Sequence, residues 1–404
     1  MVDKMENKVL IREFNEERDI EVVGKLEKNC EIGSNKGVSF FTNMMGDPLC
    51  RIRFYAVHVM LVAELCENGE LVGVVRGCIK HVGTKFGGTH VKLGCILGLR
   101  VSPKHRRMGI GLNLVKAVEE WMMRNGAHYT FLATEKNNVA STNLFTTKCN
   151  YVNFSSLVIF VQPPSLPLKG LKSGDIKIEK LHLDQAISLY YYKLRSKDIY
   201  PTDIDSILKE KLSLGTWVSY FKEDEWFDFK SNNNNNNNKE KSHEDVISKT
   251  PSSWIIFSIW NSCEAYKIQI RKSHPLKLLH ATLSHAKDII FPCLKMPICG
   301  SLKNPFGYLF LYGVYGEGER LGELMQSVLR FASRLAEDFK HCKVIITELG
   351  VSDPLTEHMP RESSMSCIND LWYLKCLNGD DNNNEEQLMR MGQLGNVFVD
   401  PRDF

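Results

Sequence analysis

The sequence predicts a mixed α/β (α+β) fold: a mostly antiparallel sheet with one splayed central strand, followed by a second, degenerate half of the same plan. Three observations lead there. Residues 99–111 run from an apolar strand through a proline into a basic loop containing Gly109 and Gly111, after which Ile110, Leu114, Val118, Trp121 and Met122 repeat at helical spacing. Upstream, the apolar runs His58–Leu65 and Glu70–Lys80 flank Asn68-Gly69, which reads as a two-residue hairpin turn. Further on, the order strand pair, strand, Gly-x-Gly, helix, strand recurs.

Taken in order, the hairpin is followed by a polar, Gly-rich loop from His81 to His90 and by the strand Leu93–Val101. Gly94 and Gly98 are expected to interrupt the ladder of that strand. The amphipathic helix Ile110–Asn125 is closed by Gly126, His128–Thr134 forms another strand, and Asn137-Asn138-Val139-Ala140 starts a helix that includes Leu144-Phe145. The first domain is drawn at 8–162 and a linker at 163–175, on Pro163-Pro164-Ser165 and the Gly- and Lys-rich stretch behind it. The second domain, 176–404, opens with helices around Leu183–Leu194 and Ile204–Leu212. It carries an Asn tract, Asn232–Asn238, inside a polar stretch of about 228–250 that is too poor in apolar residues to order itself. Asp380–Glu386 reads the same way. Trp254–Trp260 and Ala265–Ile270 are expected to pair, followed by the strand Tyr308–Tyr315, Gly316-Glu317-Gly318, a helix from Leu321, and the strand Val344–Thr347. The alternative for this half is an unrelated α/β domain with a turn glycine pair.

At 404 residues the chain exceeds what one core usually supports, which favours two domains. A formal charge of +3 is too small to argue for nucleic acid, and no basic stripe with interleaved aromatics is present. None of the twelve cysteines lies in a Cys-x-x-Cys pair, and Cys293 and Cys299 have no histidine at ligand spacing, so no metal site is expected. Buried thiols in a reducing compartment are the simpler reading. The charged opening, Met1–Glu17, does not read as a signal peptide, and no apolar run reaches bilayer length, so cytoplasm or nucleus is expected and no membrane partner.

The loop carries the chemistry. A pyrophosphate needs several backbone N–H donors aimed at one point and room for close approach, and glycines at a helix start supply both. Arg106 and Arg107 add positive charge. A Walker loop needs Lys-Ser or Lys-Thr after its last glycine, whereas Leu112-Asn113 follow; a dinucleotide fingerprint needs a third glycine where Leu114 stands. What remains is Arg-x-x-Gly-x-Gly at Arg106, Gly109 and Gly111, preceded by Val101-Ser102-Pro103.

This arrangement resembles motif A of the GCN5-related N-acetyltransferases (GNAT), whose loop holds the pyrophosphate of acetyl-coenzyme A. The resemblance implies acetyl-CoA as co-substrate, with backbone amides of Leu99, Arg100 and Val101 along the pantetheine arm. It places Arg106, Arg107, Met108, Gly109, Ile110, Gly111 and Leu112 around the pyrophosphate, and Asn137 and Asn138 at the start of the next helix. Three departures stand out: Phe145 replaces the usual Tyr, Asn150-Tyr151 replaces Gly-Phe, and the gap between them is one residue longer.

Acetyl transfer needs a base for the acceptor ammonium and benefits from an acid for the leaving thiolate. Phe145 cannot supply the acid. For the base, Glu135 and Glu64 at strand ends are the candidates, with solvated strand-end charges as the alternative. In the second half, Glu317 and Glu319 stand where a pyrophosphate would sit, so that copy is expected to shape the acceptor groove or to be structural.

Along nearly its whole length the chain is similar to the plant hookless-type N-acetyltransferases. Gly46-Asp47-Pro48-Leu49-Cys50-Arg51-Ile52-Arg53, Ala133-Thr134-Glu135, Leu212-Ser213-Leu214-Gly215-Thr216, Pro305-Phe306-Gly307 and the closing Phe398-Val399-Asp400-Pro401-Arg402-Asp403-Phe404 carry that likeness. It implies a role in hormone-linked differential growth but does not establish the acceptor, for which a protein or peptide amine, on a histone or a regulatory protein, is expected. Two readings stay open at this stage. One is an acetyltransferase; the other is a catalytically weak acyl-CoA-binding regulator that acts through partner binding.

Overall fold

The computed structural model describes residues 9–31, 33–35, 38–85, 88–164, 175–224, 251–272, 304–359, 366–377 and 394–404. The Asn tract, Asp380–Glu386, Cys293 and Cys299, and most of the expected linker lie outside the described residues.

The first half contains β1 (Val9–Glu13), α1 (Glu16–Asn29), β2 (Gly33–Asn35), β3 (Val38–Asn43), β4 (His58–Leu65), β5 (Leu71–Thr84), β6 (Gly88–Val101), α2 (Ile110–Arg124), β7 (Tyr129–Glu135), α3 (Val139–Asn143) and β8 (Val152–Gln162). The second contains β9 (Ile176–Lys180), α4 (Leu183–Lys193), β10 (Ile199–Pro201), α5 (Ile204–Lys209), β11 (Ser213–Phe221), β12 (Trp254–Asn261), β13 (Lys267–Lys272), β14 (Gly307–Glu317), α6 (Leu321–Glu337), β15 (Cys342–Gly350) and β16 (Ser366–Cys376).

Among the described residues one large sheet runs β1-β4-β5-β6-β7-β16-β8-β15-β14-β12-β11-β9, with β10 added to β5. Read from either end this order is the same once β1, β4, β5, β6, β7 and β16 are matched to β9, β11, β12, β14, β15 and β8. The second half therefore repeats the first, and the two exchange strands at the centre. The register agrees with that symmetry. Asp370 faces Leu157 while Ile368 faces Ile159, Glu135 faces Asp370, and Glu348 faces Ile159. A rotation that carries Asp370 onto Ile159 thus carries Glu135 onto Glu348.

Each half lays one amphipathic helix on its part of the sheet. α2 buries Ile110, Leu114, Val115, Val118 and Met122, and α6 buries Leu321, Leu324, Met325, Val328, Leu329, Ala332 and Ala336. The opposite face forms one core shared by both halves and includes Phe131, Trp372, Trp260, Phe310 and the segment 394–399. α2 ends as the sequence suggests. Gly126, at φ +80°, gives its N–H to the Met123 carbonyl, and Ala127 gives its own to Met122, the paired bonds of a Schellman motif.

Close approach of α2 requires glycines beneath it. A Cβ on Gly77 would stand 2.6 Å from Val118 Cγ2, and one on Gly94 2.5 Å from Met122 Sδ. Because Val118 is stiff at χ1, Gly77→Val is expected to cost about 1–3 kcal/mol by overpacking, read as a lower urea midpoint with an unchanged slope.

Three local expectations need correction. The connection between β4 and β5 spans Cys66–Glu70 rather than two residues, because the pairing slips between Ala63 and Glu64; Asn68 Oδ1 accepts from Glu70 N at 2.9 Å, and Gly69 takes φ +71°. Gly94 does not interrupt its ladder, since it pairs with Ile79 and Thr130. Segment 265–270 does not pair with 254–260. The turn at Ser262–Glu264 swings β13 away to β3 of the first half, and β12 is left between β11 and β14. No helix among the described residues is long and apolar enough to cross a membrane.

Candidate functional site

β6 and β7 are parallel neighbours over only three residue pairs, Leu93–Tyr129, Gly94–Thr130 and Cys95–Phe131. Beyond them the strands part. β6 keeps its other neighbour through a bulge, where the register jumps from Arg76–Leu97 to Val74–Arg100 with Gly98 at φ +57°. Leu99 and Val101 are half-buried along the edge of β6 that β7 has left.

The bulge rests on a buried ion pair. Arg76, fully buried, places Nη1 at 2.7 Å from Glu27 Oε1 and donates from Nε to the Pro48 carbonyl at 2.8 Å. Thr42 donates to the other Glu27 oxygen at 3.3 Å, and Arg100 Nε approaches that same oxygen at 3.9 Å. Burial would raise the Glu27 carboxyl, but Arg76 and Arg100 outweigh it and hold it below its usual range. Arg100, expected along the pantetheine arm, therefore turns its guanidinium toward Glu27 and the Leu99 carbonyl. Only its backbone is left for that role.

Past Val101 the chain makes a single turn at Pro103–His105, then passes through Arg107 at φ +68° and Gly109 at φ +80° into α2. The first helical bond runs from Asn113 N to Gly109 O at 3.0 Å, and no side chain caps the helix. The N–H groups of Ile110, Gly111 and Leu112 therefore sit at an uncapped, electropositive helix start. A Cβ on Gly109 would meet nothing within 4 Å, while one on Gly111 would meet only Leu144 Cδ2 at 3.6 Å and Val101 Cγ2 at 3.7 Å. Arg106, Arg107 and Met108 are exposed around this opening, with Arg106 Nε donating to Val101 O at 3.3 Å. Open space, free backbone donors and exposed positive charge fit a pyrophosphate.

Asn137 and Asn138 follow β7 and are exposed; the Asn138 side chain accepts from Ser141 N at 3.1 Å and so caps α3. Phe145 is buried, edge-on to Tyr151 with ring centroids 5.3 Å apart. Tyr151 is no substitute acid, because its hydroxyl donates to Glu119 at 2.7 Å and burial pushes it well above its ordinary range.

The two expected bases stand apart. Glu64 lies on β4, two strands from β6, and accepts from Arg12 Nε at 2.7 Å and Arg18 Nη2 at 2.9 Å. Glu135 ends β7, half-buried, directly across from Asp370 on β16. Asp370 belongs to a group that sequence reasoning missed, on the sheet face away from α2. Burial, reinforced by the charge on Glu135, pushes the Asp370 carboxyl up to about 7. Burial together with the charges of Asp370 and Asp403 holds Glu348 well above the carboxylate range. Lys80 is buried in an ion pair with Asp403, whose Oδ1 accepts from Tyr55 at 2.6 Å; Asp403 and Asp400 outweigh burial and keep the Lys80 ammonium charged. For Lys80, Glu348 and Asp370 the sequence signal was a charge within an apolar strand, whereas Asp403 lies in the closing Phe398–Phe404 segment, outside any strand. No metal-binding group is present among the described residues.

The matching place in the second half is built differently. β14 and β15 pair from Gly307–Cys342 to Leu311–Thr347, where Thr347 Oγ1 adds a bond to the Leu311 carbonyl at 2.7 Å, and only beyond that does β14 run on without β15. A Cβ on Gly318 would lie 2.3 Å from Ser252 O, and Glu317 is held by Lys193 at 2.7 Å.

A parted strand pair that feeds an uncapped glycine helix start defines an acyltransferase of the GNAT type. The Acetyltransferase (GNAT) family profile matches residues 40–151. The chain is 37% identical to "Probable N-acetyltransferase HLS1" of Arabidopsis thaliana over 98% of this chain and all of that protein. It is 30% identical to "Acetyl transferase GW6a" of Oryza sativa subsp. japonica, over 98% of this chain and 97% of that one. The fold is similar to that of a Saccharomyces cerevisiae N-myristoyltransferase with bound myristoyl-CoA and inhibitors, at TM-score 0.52 and 12% identity, covering 97% of this chain and 86% of that chain. The chain belongs to the HLS1-type N-acetyltransferases of the GNAT family.

Proposed function

We propose that this protein transfers acetyl from acetyl-CoA to an amine on a protein, a lysine side chain or an N-terminus, and that it acts in the cytosol or nucleus in hormone-linked differential growth. The observation that carries the first part is the open, uncapped start of α2 beside the edge of β6 that β7 leaves after three pairs, with Arg106 and Arg107 exposed there, where the second half carries Glu317 and Glu319. The chain's own residues then divide the work. Ile110, Gly111 and Leu112 offer N–H groups to the pyrophosphate, Arg106 and Arg107 neutralise it, and the free edge of Leu99–Val101 lines the acyl arm. Glu135, near the parted strands, is the proton acceptor in this reading. Glu64 is engaged by two arginines and serves the sheet edge. The growth role is what the sequence resemblance to the hookless-type proteins implies.

Calorimetric titration with acetyl-CoA, followed by thiol release against a broad pool of lysine peptides and histone tails, tests the reading. Binding with release is expected. Binding without release would favour the regulator that acts through partners, as the buried Phe145 in place of an acid would suggest; absence of binding would refute the site.

A further inference from the structure

The second half sends two carboxyls to the face behind the parted strands. Glu135 and Asp370 form a directly opposed cross-strand pair, so their Cβ atoms lie about 5 Å apart on one face. Glu348, the symmetry counterpart of Glu135, arrives on that face from β15, two strands beyond β16. Asp370 is 8% exposed and Glu348 5%, too deep for an acceptor to touch, whereas Glu135 is half-buried. Two buried polar atoms in this cluster have no well-formed hydrogen bond: Glu348 Oε1, and the indole Nε1 of Trp372, itself 5% exposed, which favours the charged form of both carboxyls only loosely. Such orphans are costly in a core and point to a role beyond packing.

We propose that Glu135, Asp370 and Glu348 form a proton relay in which Glu135 takes the proton of the acceptor ammonium and passes it to Asp370, which Glu348 orients by donating its own O–H. This rests on the acetyl-transfer reading. The freed nitrogen lone pair forms the C–N bond as the C–S bond breaks. The second proton shed by nitrogen ends on the departing sulfur, and the first returns from Asp370 through Glu135 to solvent, so one proton is released per turnover. Asp370 and Glu348 are positioning residues, since they act through Glu135. The groups facing them are Glu135 on β7, Trp372 on β16 and Asp403 from the C-terminal segment. A carboxyl whose affinity for protons lies close to neutral suits a relay that must both take and return one.

The test uses the full chain, acetyl-CoA and the lysine-peptide pool across about pH 6–9, with acetyl-CoA affinity and thermal stability measured on every variant. Asp370→Asn should bind acetyl-CoA like wild type, stay folded, lose about 10²-fold in kcat and lose the rise in rate near neutral pH. Glu348→Ala removes the donor that favours the Asp370 carboxylate, so that rise should move to higher pH. Glu348→Gln keeps a donor and should leave it in place. A wild-type profile in Asp370→Asn, or equal behaviour of the two Glu348 variants, overturns the relay. Acetyl-CoA binding without turnover in wild type also overturns it while sparing the cofactor site, whereas failure of wild type to bind acetyl-CoA would show that the acetyl-transfer reading itself is wrong.

Discussion

Gly111→Trp is expected to abolish acetyl-CoA binding, weakening it by more than about 10²-fold, or about 3 kcal/mol, in calorimetric titration. The reasoning is geometric. Gly111 is the second residue of α2, its N–H is among those with no helical partner, and its Cα faces an opening where a Cβ meets two side-chain methyls at ordinary contact distance. A methyl therefore fits, and Gly111→Ala should bind nearly as wild type does. An indole does not fit without filling the space that a pyrophosphate needs. The thermal midpoint should hardly change, since the site lies at the surface of the helix start. Unaltered affinity in the tryptophan variant would show that the anion binds elsewhere. Arg106→Ala and Arg107→Ala act only through screened charge, so their smaller losses should shrink further as salt is added.

How much of this was legible in the sequence follows from how far apart the parts lie along the chain. The pyrophosphate loop is contiguous: strand, proline, two glycines and amphipathic helix follow one another, and each local rule points the same way. The repeat in the second half was legible for the same reason. The exchange of β8 and β16 was not, because an antiparallel strand carries no mark of its partner, and these two come from opposite halves of the chain. β13 was assigned to the nearest apolar strand, yet its backbone partner is β3. Buried charge was visible but unpaired: Lys80 stands 323 residues from Asp403, and Glu135 meets Asp370 only across the exchanged strands. Burial tells which charges are anomalous, and topology alone tells which of them meet.

The second large effect concerns stability and comes from the pair beneath the bulge. Glu27→Ala is expected to cost about 3–5 kcal/mol, because it strands the guanidinium of Arg76 in the core without its carboxylate. Acid should act in the same direction. Glu27 has a folded-state affinity for protons below its ordinary 4.5, so its contribution is fully present above about pH 4.5 and is lost as pH falls through the lower folded value. Wild type should therefore show a falling urea midpoint on acidification through that range, and Glu27→Gln a flatter one. If both fall in parallel, other carboxylates dominate acid unfolding. Replacing the two partners together, Glu27→Leu with Arg76→Met, should recover much of the stability, as paired apolar substitutions of buried ion pairs do. Function should not recover with it. Arg76 Nη1 also reaches the Gly98 carbonyl at 3.4 Å, and Gly98 is the residue whose left-handed backbone turns β6 away from β7. A chain that regains its stability but has lost that guanidinium keeps the sheet while loosening the bulge, and its affinity for acetyl-CoA should fall in proportion. Equal affinity in the double variant would show that the strands part without help from the charge below them.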